Sequence, residues 1–267
     1  MLRLKLTRYN LQREGVDVMK RGWIFVMALL ALGNVSDAGE WKYRVRSPLM
    51  GLLGTITIDK EEGNGRYRIE AEARTEGIAA TLTGKRREFY RSEGAVRNGK
   101  LLSRRFHLER KMKSKRQIDD YRIDPVRRQV VKRKIRWKDG RLDKNSSKPL
   151  KYFSEMDLAA LYVNAVPAML EKPAGSRETY LSVGAEKVKG KVVVTHASEE
   201  RSRKERERLK VDPGTRILIV SSPEKILGEK NRELILAVGS DGVLHKARLV
   251  AVPIVGEIFV ERINQQR

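Results

Sequence analysis

The chain has 267 residues, no cysteine, three histidines and a net charge of +23, from 57 Lys/Arg against 34 Asp/Glu. The missing cysteine excludes disulfide stapling, a thiol nucleophile, a lipid-modified cysteine anchor and every thiolate metal site. A basic excess of this size points to polyanionic partners, and the length suits one large β domain or two small ones.

Residues 1–18, with Arg13, Glu14 and Asp17, read as disordered sequence, either upstream of a true start at Met19 or a genuine extension. Lys20 and Arg21 then precede an apolar run from Trp23 to Gly33, and Ser36-Asp37-Ala38 supplies the small residues a signal peptidase inspects. The order is that of a signal peptide over 19–38, cleaved after Ala38, and the run is too short to span a bilayer. The expectation is a periplasmic protein with one curved β domain over 39–267 and no transmembrane segment in the mature chain. Removing residues 1–38 leaves 51 basic and 31 acidic residues, a net of +20.

From there alternation with period two dominates. Tyr67, Ile69, Ala71 and Ala73 oppose Arg68, Glu70, Glu72 and Arg74. Phe106, Leu108 and Met112 oppose Arg105, His107, Glu109 and Lys111, while Val131, Ile135 and Trp137 oppose Lys132, Lys134 and Arg136. Each is the pattern of an antiparallel strand with one dry and one wet face. Gly63-Asn64-Gly65, Asn98-Gly99, Asp139-Gly140 and Asp241-Gly242 are hairpin turns, since these residues tolerate positive φ. Strands are predicted at 41–47, 53–60, 65–75, 85–92, 101–112, 115–124, 128–138, 177–183, 190–197, 215–222, 231–239, 243–252 and 256–263.

Two segments break the rhythm. Leu158, Leu161, Tyr162, Ala165, Val166 and Met169 recur at helical spacing, with Ser154 and Asp157 resembling a capping box and Pro167 expected to kink or shorten the last turn. Ser198 to Leu209 is almost wholly charged and fits either a solvated helix or a strand extension. The predicted fold class is mainly β: a strongly curved antiparallel sheet or half-open β-barrel, with one amphipathic helix, about 155–170, packed in or across it.

Signals for chemistry are sparse. His107, His196 and His245 fall on separate strands; His107 and Glu109 share a face but read as salt-bridge neighbours rather than metal ligands. Neither a His-Glu-x-x-His helix nor a Gly-x-Ser-x-Gly elbow occurs, and the adjacent Asp119 and Asp120 should point to opposite faces. The reading is a non-enzymatic protein with no catalytic residues, no metal and no cofactor. Arg97 to Lys138 holds seventeen Lys/Arg against four acids, a density typical of nucleic-acid binders. Export and the expected inward facing of Phe106 and Trp137 argue against nucleic acid as the partner.

In this order, Trp41-Lys42-Tyr43-Arg44-Val45, Gly51 to Ile58, Tyr67 to Thr75 with Glu76-Gly77-Ile78, Phe89-Tyr90-Arg91-Ser92, Asp157 to Tyr162 and the ending Gly242 to Arg248, Pro253 and Gly256-Glu257-Ile258 resemble the domain-of-unknown-function family 3108 of exported bacterial β-proteins. The resemblance covers roughly 41–263. It implies periplasmic export and a half-open barrel similar to that of lipoprotein carriers, wrapping a helix and an apolar groove. It carries over no catalytic residue.

The leading expectation is an envelope protein that binds a lipid or glycolipid in its concave face. Ile56, Ile58, Tyr67, Ile69, Phe106, Leu108, Ile135 and Trp137 would form the apolar wall, and Arg104, Arg105, Lys111, Lys132, Lys134 and Arg136 would hold an anionic group. The bland counterpart is that the apolar set is an ordinary closed core. The alternative function is a basic β scaffold that docks on acidic envelope polymers or a protein partner without a cavity ligand. The sequence is silent on oligomeric state.

Overall fold

A computed structural model describes residues 39–186, 189–221, 233–252 and 255–263. The apolar run at 23–33, the start at Met19 and the cleavage after Ala38 lie outside the described residues. Fourteen strands form one sheet: β1 (Gly39–Ser47), β2 (Gly51–Gly63), β3 (Arg66–Thr75), β4 (Arg87–Arg97), β5 (Lys100–Met112), β6 (Lys115–Asp124), β7 (Gln129–Lys138), β8 (Arg141–Pro149), β9 (Arg177–Leu181), β10 (Lys191–His196), β11 (Arg216–Ser221), β12 (Glu233–Val238), β13 (Leu244–Val252) and β14 (Gly256–Arg262). Among the described residues three helices interrupt them, α1 (Gly77–Thr83), α2 (Leu158–Leu170) and α3 (Glu199–Leu209). None is long and apolar enough to cross a membrane.

The strand order is β8-β7-β6-β5-β4-β3-β2-β1-β14-β13-β12-β11-β10-β9, antiparallel at every step. Two meanders, β1–β8 and β9–β14, are therefore joined where the first strand pairs with the last, Tyr43 opposite Arg262 and Val45 opposite Val260. The sheet stays open between β8 and β9. It wraps α2, which packs against β5, β10 and β11.

The period-two pattern explains the interior. Tyr43, Ile56, Ile58, Ile69, Phe106 and Leu108 point inward and meet Leu161, Tyr162, Val166 and Met169 of α2 in a single cluster. Phe106 stacks on Tyr121 at 5.6 Å between centroids. One extra residue at Arg104, where the β4–β5 register shifts, keeps both ends of β5 in phase, so that Leu101 and Ser103 as well as Phe106 and Leu108 face inward. Gly94 makes the bulge possible: a Cβ there would lie 2.0 Å from the Leu102 carbonyl oxygen.

The helix is tied to the sheet at its N-terminus. Asp157 is the N-cap, its Oδ1 accepting from the N–H groups of Ala159 (2.9 Å) and Ala160 (3.0 Å). Its Oδ2 accepts from the Ser92 hydroxyl at 2.5 Å, its own N–H donates to Ser103 Oγ, and Tyr67 bonds both serines. The capping box expected from Ser154 is thus corrected: Ser154 donates to the carbonyls of Met156 and Leu181 instead. Pro167 sits inside α2, which runs three residues further. The charged stretch is helical and lies on the outer face, where Leu209 meets Ile217, Ile235 and Ala237 and Glu205 pairs with the buried Arg248.

Three further features differ from expectation. α1 was not predicted, because seven residues carry too short a period to register. β8 was not predicted, because RLDKNSSKP has no apolar alternation: it is an edge strand, wet on both faces. The facing of β7 is reversed. Lys132 pairs with Tyr121 and Val130 with Ile123, both core residues, so Val130, Lys132, Lys134 and Arg136 share the inner side. Val131, Ile135 and Trp137 face outward, with Arg116 stacked 5.0 Å over Trp137. At the open edge both faces of β7 are wet, and pairing register prevails over the hydrophobic pattern.

A lysine-lined cleft at the open edge of the sheet

The reversal of β7 builds a site. Its inner side chains oppose those of β8: Lys132 faces Lys148, Lys134 faces Ser146 and Arg136 faces Lys144. The chain then leaves β8 through Leu150, Lys151 and Tyr152, and Glu186 and Lys189 stand on the far wall. Together they enclose a cleft of about 600 Å³ lined, among the described residues, by Lys132, Lys134, Lys144, Lys148, Lys151 and Lys189, by Ser146, Pro149, Leu150 and Tyr152, and by a single carboxylate, Glu186.

The floor is rigid. Lys132 donates to Tyr121 Oη at 2.7 Å, lies 4.8 Å over that ring, and pairs with Glu186 (3.2 Å) and Asp119 (3.4 Å). Asp119 is buried and accepts from Gln117 (2.6 Å) and Arg110 (3.2 Å). Deeper still, Glu88 receives the Tyr90 hydroxyl and pairs with Arg86. Each of these carboxylates is therefore already paired with a cation of its own.

The rim differs. Lys134, Lys144, Lys148, Lys151 and Lys189 form no ion pair among the described residues. Burial, then repulsion from Lys132, Arg110 and Lys144, holds the Lys134 ammonium below the usual lysine range against the pull of Asp119. Like charges set directly across a sheet destabilise it by roughly 0.2–1 kcal/mol per pair. A bound anion would offset that cost.

The wall at Tyr152 is fixed by close packing. Its hydroxyl donates to the Ser182 carbonyl at 3.1 Å, and its ring lies over Gly190, where a Cβ would come within 2.4 Å of the ring. Gly190 also has φ of +82°, a conformation that favours glycine.

The predicted site residues divide among three places. Ile56, Ile58, Tyr67, Ile69, Phe106 and Leu108 are all buried on the inner face, packed with α2 in the core. Ile135 and Trp137 are half-buried on the outer face. Of the anion-binding set, Lys132 and Lys134 line the cleft, and Arg136 shares their face but is held by Asp143. Arg104 sits at the β5 bulge, Arg105 pairs outside with Asp120, and Lys111 is exposed outside. Sequence reading missed Lys144, Lys148, Lys151, Tyr152, Glu186 and Lys189. Lys144-Ser146-Lys148 carried a period-two signal, but with no apolar partner residues to mark a strand.

Asp119 and Asp120 point to opposite faces, as their adjacency requires, and Asp120 meets His107 (3.4 Å) and Arg105 (3.1 Å) outside. Burial works against ionisation of Asp120, but the bonds from His107 and Arg105 prevail and hold its carboxyl below the usual range.

No protein-family model and no curated protein matches the chain. Among solved structures it is similar to the beta-barrel-like protein of domain of unknown function DUF1849 from Brucella abortus, at 8% identity and a TM-score of 0.50, over 85% of this chain and 96% of that one. The likeness supports a beta-barrel-like fold.

Proposed function

We propose that the chain is an exported, non-enzymatic binding protein of the cell envelope that holds a multiply charged anion in the lysine cleft. One observation carries this reading: six lysines converge on a cleft whose only carboxylate among the described residues is already paired with Lys132. Export rests on the sequence of 19–38, and kinship with the domain-of-unknown-function family 3108 rests on the landmarks quoted above; both belong to the proposal. Of the apolar wall first expected to take lipid tails, six residues are packed in the core with α2 and Ile135 and Trp137 face outward, so a lipid or glycolipid would engage through its anionic head group. Pro149, Leu150 and Tyr152 provide a short apolar flank beside it.

The test is native mass spectrometry of the protein purified from its own envelope without detergent, alongside titration with phosphorylated glycolipid. A bound anionic species that is lost in Lys134→Glu/Lys148→Glu supports the reading. A clean apo mass, with no uptake by the wild type, overturns it.

A further inference from the structure

Hairpin connectivity places the β1–β2 turn, the β3–β4 connection containing α1, the β5–β6 turn and the β7–β8 turn at one end of the sheet. Seven large apolar side chains stand exposed among the described residues; Leu142 (58%) lies at this end on the edge strand β8, and four more stand around α1: Leu49 (72%), Ile78 (59%), Leu82 (44%) and Leu52 (37%). They are neighbours in the fold. The Glu76 N–H donates to the Leu53 carbonyl at 2.8 Å, and α1 packs on β2. α1 turns its small residues, Ala79 and Thr83, into the protein and presents Ile78 and Leu82, one turn apart, to solvent. A helix docked for stability alone would bury the larger pair.

Cations surround this apolar tip. Lys85 follows α1, and Lys113 donates its backbone N–H to Gly84 at 3.0 Å, which brings the β5–β6 turn against the end of α1. On the outer face Arg74, Arg87, Lys111 and Arg116 stand directly opposite one another across four strands. Lys85, Arg87, Lys111, Lys113 and Lys115 are exposed and form no ion pair among the described residues. The acids nearby are engaged or outnumbered. Glu76 accepts from Thr55, Glu72 and Glu109 pair with Arg74 and Arg116, and Asp139 lies between Lys138 and Arg141.

We propose that this end docks on an anionic lipid bilayer, with Leu49, Ile78 and Leu82 entering the headgroup layer and the lysine and arginine rim at the phosphates. Exposed apolar tips ringed by cations match the layering of a bilayer surface, acyl chains beneath negative headgroups. A second copy of the chain fits poorly, because it would bring cationic rim against cationic rim. The surface is distinct from the lysine cleft, which lies on the inner side of β7 and β8: the row Arg74, Arg87, Lys111 and Arg116 faces outward, and Lys132 on the cleft floor lies six residues, about 20 Å, along the strand from Lys138 at this end. The inference therefore does not depend on the proposed ligand.

Because the chain lacks cysteine, single environment-sensitive labels can be placed at I78C, L82C and, at the opposite end, V126C in the full chain. With vesicles of phosphatidylcholine containing 30% phosphatidylglycerol, the labels at 78 and 82 should shift to the blue and become shielded from aqueous quencher, while the label at 126 stays wet. Pure phosphatidylcholine should give little response, and Ile78→Ser/Leu82→Ser or Lys85→Glu/Lys113→Glu should weaken the affinity of that end for the vesicles about tenfold. The label at 126 separates this contact from any made by the apolar run at 23–33. Labels at 78 and 82 that remain in water on anionic vesicles overturn the proposal. So does an equal response to phosphatidylcholine, or a vesicle-independent shift that grows with protein concentration, which would identify a second copy.

Discussion

Replacing Asp157 by alanine removes the side chain that joins the N-terminus of α2 to the sheet; Asn164, bonded to the Leu101 backbone further along the helix, stays in place. Two backbone N–H groups at the start of the helix lose their acceptor, and loss of such a cap costs about 1 kcal/mol. The Ser92 hydroxyl, which donates to Asp157 Oδ2, is left in a dry site with one fewer partner, which costs about 1–3 kcal/mol more. The expected loss is about 3 kcal/mol, a large share of the 5–15 kcal/mol typical of a folded domain. Asp157→Asn keeps an oxygen for the two N–H groups and should lose about 1 kcal/mol, since Ser92 can turn to accept from the amide. Urea unfolding followed by far-UV dichroism and by tyrosine fluorescence reads both variants. A loss below about 1 kcal/mol for Asp157→Ala, or a larger loss for Asp157→Asn, would refute the idea that this carboxylate fastens the helix.

Lys148→Thr should move stability and binding in opposite directions, raising stability by about 0.5 kcal/mol through relief of the Lys132 pair while lowering anion affinity; a fall in both would mean that the opposed lysines are not in conflict. Anion binding should weaken as pH rises through the lowered pKa of Lys134, before an ordinary lysine loses its proton, and calorimetry in buffers of different ionisation enthalpy should detect proton uptake on binding in that window. Gly190→Ala should push the Tyr152 ring from the cleft wall and reduce affinity with little change at Asp157, which a crystal structure of the variant would show directly. Glu205→Ala leaves Arg248 with only Glu257 and should cost about 3 kcal/mol, whereas the double variant Glu205→Leu/Arg248→Met should recover most of that loss in the same urea assay.

Strand positions were readable wherever one face is dry, because burial enforces alternation there and glycine-containing turns punctuate it. Tyr67 to Ala73 and Phe106 to Leu108 face as their pattern predicts. Legibility failed where the sheet meets water on both sides. In β7 the apolar residues Val131, Ile135 and Trp137 mark the more hydrophobic face, yet pairing with Tyr121 and Ile123 turns that face outward. β8 has no apolar period, so the lysines it brings to the cleft were hidden with it. The cap was misplaced by three residues, because Ser154 and Asp157 are both competent caps and only tertiary contact with Ser92 and Ser103 distinguishes them. The exposed leucines at the end of the sheet were out of reach of sequence reading, since exposure is decided by what packs beside a residue.

The pairing of β1 with β14 has a consequence for how the chain folds and how it could be rearranged. Nearly every other strand contact joins neighbours in sequence and can form as a local hairpin, but Tyr43 must wait for Arg262. Closing so long a loop is the slow, entropically costly step of assembly. Until it happens, β1 and β14 remain bare edges beside two finished meanders, open to pairing with another molecule. A circular permutant that links the two ends beside this seam and opens between β8 and β9 would convert the slowest contact into a hairpin. It would leave the finished sheet with the same fourteen strands in the same order.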